Sequence, residues 1–283
     1  LKGETRLILK DKKILVTGVV TRQSIAYHIS RKIQEMGGEI ILTGGPGRTC
    51  RLTERTAQTL SPEPPVIQMD VTDQAQIQDA RKFVEGRWGK MDGLLHSVAY
   101  ASQSCLSGDF ADVPWEDVSN AFQISSYSLA GLASVFAPMM KGGSIVALDF
   151  DASKVWANYN WMGVCKAGLE AISRYLARDM GIRYKIRVNC IASGPLQTVA
   201  AKAIPAFRMF ETLWNSRSVL PWDVANDGAE VANMATFLFS DLSRKVTGCT
   251  LHVDGGFHMM GSPLVDTLGG IERENEEEEN LAE

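Results

Sequence analysis

What most restricts the fold of this chain is an alternation that repeats along it: short β-branched runs, each followed by a longer amphipathic stretch. The runs at 13–17, 39–43, 66–70, 93–97, 143–148, 186–191 and 250–253 read as seven strands. Helices are expected over 24–36, near 52–60, over 73–84, within 115–140 as one long helix, from the Lys166 segment to about Met180, and over 227–239. Three prolines in Ser61-Pro-Glu-Pro-Pro65 forbid regular structure between the second and third strands. Strands separated by crossover helices imply a parallel sheet covered on both faces. Right-handed crossovers then give a doubly wound, Rossmann-like α/β fold. No internal repeat or linker divides the chain, so one domain is expected over 1–262.

Composition matters at three points. The 283 residues, 45% of them hydrophobic, suffice for one large core. The net charge of −4 is uneven: Asp266, Glu272, Glu274, Glu276–Glu279 and Glu283 face only Arg273 in the final segment. That segment, 263–283, is expected to be a disordered acidic tail, and no nucleic-acid partner is expected. The five cysteines form no Cys-x-x-Cys pair and the four histidines no ligand spacing, which points to a reduced, cytoplasmic protein without a metal site. No apolar run reaches membrane-spanning length, and the N-terminal residues do not resemble a signal peptide.

The first strand leads into Gly18-Val-Val-Thr-Arg-Gln-Ser-Ile-Ala26, which keeps only the first glycine of the usual dinucleotide fingerprint. The physical requirement survives: a tight turn, then a helix N-terminus whose free N–H groups can receive a diphosphate. Small Ser24 and Ala26 permit close approach, although a plain strand–helix turn reads equally well. No acid closes the second strand. Arg48 or Arg51, after Gly45, would meet a 2′-phosphate and favour NADPH; as solvated surface arginines they would do nothing. Asp70 and Val71 offer an adenine ring a carboxylate and an apolar wall. Ser97, Ala99 and Tyr100 follow the fourth strand, where small residues let backbone pass a ribose and diphosphate.

Tyr159 and Lys166 are separated by six residues, in a run where a strand gives way to a helix. Two helical turns would place them on one face, about 20° apart around the axis and roughly 10 Å along it. That gap suits a ribose better than direct contact.

Together these segments resemble the enoyl-acyl carrier protein reductases of type II fatty acid synthesis, a branch of the short-chain dehydrogenase/reductase superfamily, and especially the mycobacterial-type NADH-dependent enzyme. The likeness runs from about Thr5 to Gly261. It rests on the Gly18 segment, Met69-Asp-Val71, His96-Ser-Val-Ala-Tyr100, Ala147-Leu-Asp-Phe150, Tyr159-Asn-Trp-Met-Gly-Val-Cys-Lys166, Ala192-Ser-Gly-Pro-Leu-Gln-Thr198 and His252-Val-Asp-Gly-Gly-Phe257. Ordinary members of the superfamily place three residues between tyrosine and lysine; the enoyl reductases place six.

The resemblance implies that Tyr159 donates to the thioester carbonyl of a trans-2-enoyl substrate while hydride reaches the β-carbon. Lys166 would hold the nicotinamide ribose, and Phe150 would wall the reacting groups or simply pack at a strand end. The α-carbon proton would come from water or from Tyr159. NADH, with NADPH as the alternative, would contact Gly18, Val20, Ser24, Ile25, Gly45, Asp70, Val71, Ser97, Ala99, Leu148, Asp149, Lys166, Gly194, Pro195, Leu196 and Thr198. Tyr100, Tyr159, Met162 and Phe207 would meet substrate. Leu196 and Gln197 stand where relatives usually carry Ile and Arg. A substrate lid is implied over 199–222, shorter than the mycobacterial counterpart, which argues for shorter acyl chains. Acyl carrier protein or coenzyme A thioesters as substrates and a homotetramer are further implications. Two other readings remain: a carbonyl or 3-hydroxyacyl dehydrogenase, weakened because Ser153 lies too near the strand end, and a non-catalytic NAD(P)-binding protein.

Overall fold

A computed structural model describes residues 7–205 and 207–264. Among them β1 (Lys13–Thr17), β2 (Glu39–Gly44), β3 (Val66–Gln68), β4 (Gly93–His96), β5 (Ser144–Asp149), β6 (Arg187–Ser193) and β7 (Thr250–Val253) form one sheet, ordered 3-2-1-4-5-6-7. Every adjacent pair is parallel. Strands β5 and β6 are buried at every position, as a sheet covered on both faces requires, whereas the edge strand β7 is half-exposed throughout.

The helices are α1 (Ile25–Glu35), α2 (Arg48–Ala57), α3 (Gln74–Trp88), α4 (Gln103–Leu106), α5 (Trp115–Phe122), α6 (Ser128–Phe136), α7 (Asn160–Tyr184), α8 (Arg208–Arg217) and α9 (Gly228–Phe239). Alternate strand residues serve opposite layers. Ile14 and Val16 of β1 join the core beneath α1 and α9, while Leu15 joins the core beneath α3, α6 and α7. Asp73 starts α3 by accepting from the Ala75 and Gln76 amides, at 2.8 and 3.2 Å.

The long helix expected within 115–140 is interrupted. Gln123–Tyr127 form a π-helical turn between α5 and α6, and Ala137–Met139 form a 3-10 turn after α6. The cause is polar. Ser125 and Ser126 are fully buried in the widened turn. Ser125 Oγ receives the Tyr100 N–H and donates to the Tyr100 carbonyl, both at 2.9 Å. Ser126 Oγ donates to the Cys165 carbonyl at 2.6 Å. The irregular turn therefore ties the exit of β4 to α7. The acidic tail expected from 263 lies outside the described residues beyond Leu264.

Candidate active site

The strand order reverses between β1 and β4, and ligands of open α/β sheets bind outside the strand ends at such a point. Gly18 leaves β1 there with φ +82°, and a Cβ at this position would lie 1.8 Å from the Ser97 carbonyl oxygen beyond β4. Only glycine fits. Ser24 occupies the N-cap of α1 but does not cap it. Its Oγ turns back to accept from the Val20 and Thr21 amides at 3.1 and 3.0 Å. The first turn of α1 also carries no acid, so its N–H groups stay available to an anion. These features fit a dinucleotide diphosphate. Gly18 and Ser97 lie against each other, the Val20 amide is bonded to Ser24, and Ile25 opens α1.

Other expected contacts are arranged more loosely. Gly45 follows β2, but the glycine that packing demands is Gly44, where a Cβ would lie 2.7 Å from Cys50 Cα. Arg48 and Arg51 are both exposed on α2. Asp70 spends one carboxylate oxygen on the Thr72 amide and hydroxyl, at 2.9 and 2.7 Å, beside half-buried Val71. Gly194 follows β6, and a Cβ there would collide with the Trp222 ring at 2.5 Å. Trp222 Nε1 donates to the Pro195 carbonyl at 2.8 Å, and Gln197 N to the Val224 carbonyl at 2.8 Å. Those two bonds hold the loop that carries Gln197. The Thr198 hydroxyl accepts from Ala201 N at 3.0 Å, which leaves its own proton to donate.

Tyr159 and Lys166 each reach the end of β5, Tyr159 against Phe150 and Lys166 against Leu148. Tyr159 is the N-cap of α7, with φ −131° and ψ −3°, so it stands just outside the helix and the two-turn geometry holds only from Asn160 onward. Asn158, at φ 58°, turns the chain into that position, a conformation asparagine tolerates. Both side chains are buried. Lys166 Nζ donates to the Leu148 carbonyl at 2.8 Å. The Tyr159 hydroxyl makes no hydrogen bond among the described residues. Burial, then the nearby Asp149 and Cys165, raise its pKa far above the ordinary tyrosine range. It is a phenol with a proton to donate.

Two further buried groups flank Lys166. Burial pushes Asp149 up to about 8, against the lowering influence of Lys166 and with help from Glu170. Neither Asp149 oxygen makes a well-formed hydrogen bond among the described residues, although the Glu170 carboxyl lies near enough to interact. His96, fully buried, is lowered to about 3 by desolvation and then by Lys166. Its Nε2 sits 2.7 Å from Ser128 Oγ.

An aromatic cluster completes the site. The Phe150 ring centroid lies 5.2 Å from Tyr159, 5.0 Å from Trp156, 5.7 Å from Phe210 and 5.8 Å from Trp214. Met162 is buried on α7, Phe207 is half-buried 6.2 Å from Phe210, and Tyr100 remains exposed. Among the described residues no group of histidine, cysteine or acidic side chains is suited to a metal ion. A proton-bearing phenol, a buried ammonium and an aromatic wall can bind a flat ring and stabilise a developing oxyanion. Sequence reasoning missed His96, the serine turn and the Trp156–Trp214 pairing. The hydroxyl run Ser125-Ser-Tyr-Ser128, inside an apolar helix pattern, was the available signal for the turn.

Comparison with known proteins agrees with this geometry. Residues 18–258 match the family model described as enoyl-(acyl carrier protein) reductase. A protein of Synechocystis named enoyl-(acyl-carrier-protein) reductase (NADH) FabI is 39% identical over 259 residues, covering 90% of this chain and 99% of the relative. An enoyl-(acyl-carrier-protein) reductase (NADH) of Mycolicibacterium smegmatis is 36% identical, covering 88% of this chain and 97% of the relative. The FabI protein of Bacillus subtilis is 38% identical, covering 89% and 97%.

Proposed function

The chain belongs to the enoyl-(acyl carrier protein) reductase family, and from that premise we propose that it reduces the 2,3 double bond of trans-2-enoyl thioesters in fatty acid synthesis. The observations that support the reading are the buried, proton-bearing Tyr159, packed against Phe150 just after β5, and the buried Lys166, whose Nζ reaches the Leu148 carbonyl of β5. NADH, the cofactor in the names of the relatives, supplies a hydride when bound. Gly18, Ser24 and the open first turn of α1 would hold its diphosphate, Asp70 and Val71 its adenine, and the Gly194–Thr198 loop its carboxamide end.

Tyr159 donates to the thioester carbonyl oxygen, and the donor is already in place as negative charge grows there. Lys166 orients the nicotinamide ribose and adds positive potential near the same oxygen. Phe150 and its aromatic neighbours wall one side of the space beside Tyr159. Because burial makes a phenolate costly, Tyr159 retains its proton and water delivers the proton that completes the α-carbon.

Acyl carrier protein is the carrier that the relatives' names imply. Apolar Tyr127, Tyr175 and Ile182, 60%, 66% and 70% exposed, support assembly into a homotetramer. Among the described residues no helix is long and apolar enough to cross a membrane, and the free cysteines suit a reducing cytoplasm. The test is a matrix of enoyl thioesters against NADH and NADPH, following loss of nicotinamide absorbance. Consumption with NADH that requires an enoyl thioester supports the reading; dinucleotide binding without any turnover rejects it.

A further inference from the structure

Three segments distant in sequence meet around Phe150, the residue that follows β5. The loop after β5 brings Trp156, α8 brings Phe210 and Trp214, and the turn after β7 brings Phe257. Phe210 and Trp214 are only 2% and 1% exposed. Trp214 and Phe257 stack at 3.8 Å with planes 6° apart, and Trp156 lies 5.5 Å from Trp214.

The indoles are anchored by more than packing. Trp156 Nε1 donates to the Asp151 carbonyl at 2.6 Å, and Trp214 Nε1 to the Asp254 carbonyl at 3.1 Å. Lys154 adds a bond to the His258 carbonyl at 2.6 Å, joining the same loop to the same turn. Both buried indoles thus have satisfied N–H groups, Trp156 within its own loop and Trp214 across to the turn after β7, which fixes the orientation of each ring.

The Phe150 ring has Tyr159 at 5.2 Å and is also packed by Trp156, Phe210 and Trp214, so an acyl chain that left a Tyr159-bound thioester past Phe150 would meet those rings. We propose that Trp156, Phe210 and Trp214 form a built-in aromatic plug that ends the acyl channel early and restricts this enzyme to short enoyl thioesters. The inference rests on the proposed reduction and adds the substrate class and the residues that set it. In an open apolar channel each further methylene improves transition-state binding by about fourfold. Against a plug, added methylenes find no apolar surface to bury, and the gain stops.

The test measures kcat/KM for trans-2-enoyl thioesters of four, six, eight, ten and twelve carbons, in the parent and in Trp214→Leu, Phe210→Leu and Trp156→Met. In parallel, calorimetry measures binding of the saturated butanoyl and dodecanoyl thioesters, which needs no turnover. The parent is expected to level off or decline beyond about six carbons, with butanoyl bound at least as tightly as dodecanoyl. Any folded variant is expected to raise the twelve-to-four carbon ratio by about tenfold or more. A parent whose kcat/KM or affinity climbs steadily to twelve carbons overturns the plug while leaving the reductase reading intact. Chain-length-independent binding without turnover of any thioester supports the plug and rejects the reductase reading instead.

Discussion

Gly18 and Ser97 face each other across the switch point so closely that a methyl group on Gly18 would sit 1.8 Å from the Ser97 carbonyl oxygen. The ends of β1 and β4 are thereby fixed against each other where the diphosphate is read to lie. Gly18→Ala introduces that collision at a positive φ. It should lower stability by more than about 2 kcal/mol and remove NADH binding. Thermal melts and an NADH titration check this; parental affinity would contradict it.

The two buried titrating groups make opposite contributions to pH-dependent stability. Asp149 rises to about 8 in the fold from an ordinary 3.8, so between those values the folded chain holds a proton that the unfolded chain has released. Stability from this group therefore falls as pH rises through that window. His96 drops from 6.5 to about 3, so its contribution is lost as pH falls through that range. Above pH 6.5 only the Asp149 limb remains. Asp149→Asn should therefore gain in Tm over the parent between pH 6.5 and 8, which melts at several pH values will measure. An equal Tm difference at both ends would refute the assignment.

Ser126 reaches from the π-helical turn to the Cys165 carbonyl, one residue before Lys166. Ser126→Ala should cost about 1 kcal/mol, a fall in Tm of roughly 2–4 °C. The turn also steadies α7 beneath Lys166, so NADH affinity should weaken measurably in the same variant. An unchanged Tm would show that the hydroxyl is dispensable.

Strand positions and the crevice were legible in the sequence because buried parallel strands write themselves as continuous β-branched runs. The spacing of Tyr159 and Lys166 was visible in the sequence, but the position of Tyr159 outside the helix, at the N-cap of α7, was not. The π-helical turn was only hinted at by the serines in an apolar period, because Ser125 and Ser126 widen the helix through tertiary partners, Tyr100 and Cys165. Ser24 lies at the N-cap of α1, yet its hydroxyl serves the preceding turn instead of the helix, which the sequence did not show. Trp156, Trp214 and Phe257 are scattered over a hundred residues, and only folding reveals them as one cluster. The character of Asp149 was equally hidden, since it arises from burial beside Glu170 and Lys166.

The most direct test compares the parent with Tyr159→Phe and Lys166→Ala in NADH-dependent reduction of a short trans-2-enoyl thioester, with NADH affinity measured separately. Tyr159→Phe should keep NADH affinity and lose about 100-fold in kcat, as expected for removal of one oxyanion donor. Lys166→Ala should weaken NADH binding by about tenfold or more. Parental rates and affinities in both variants would contradict the roles assigned to this pair.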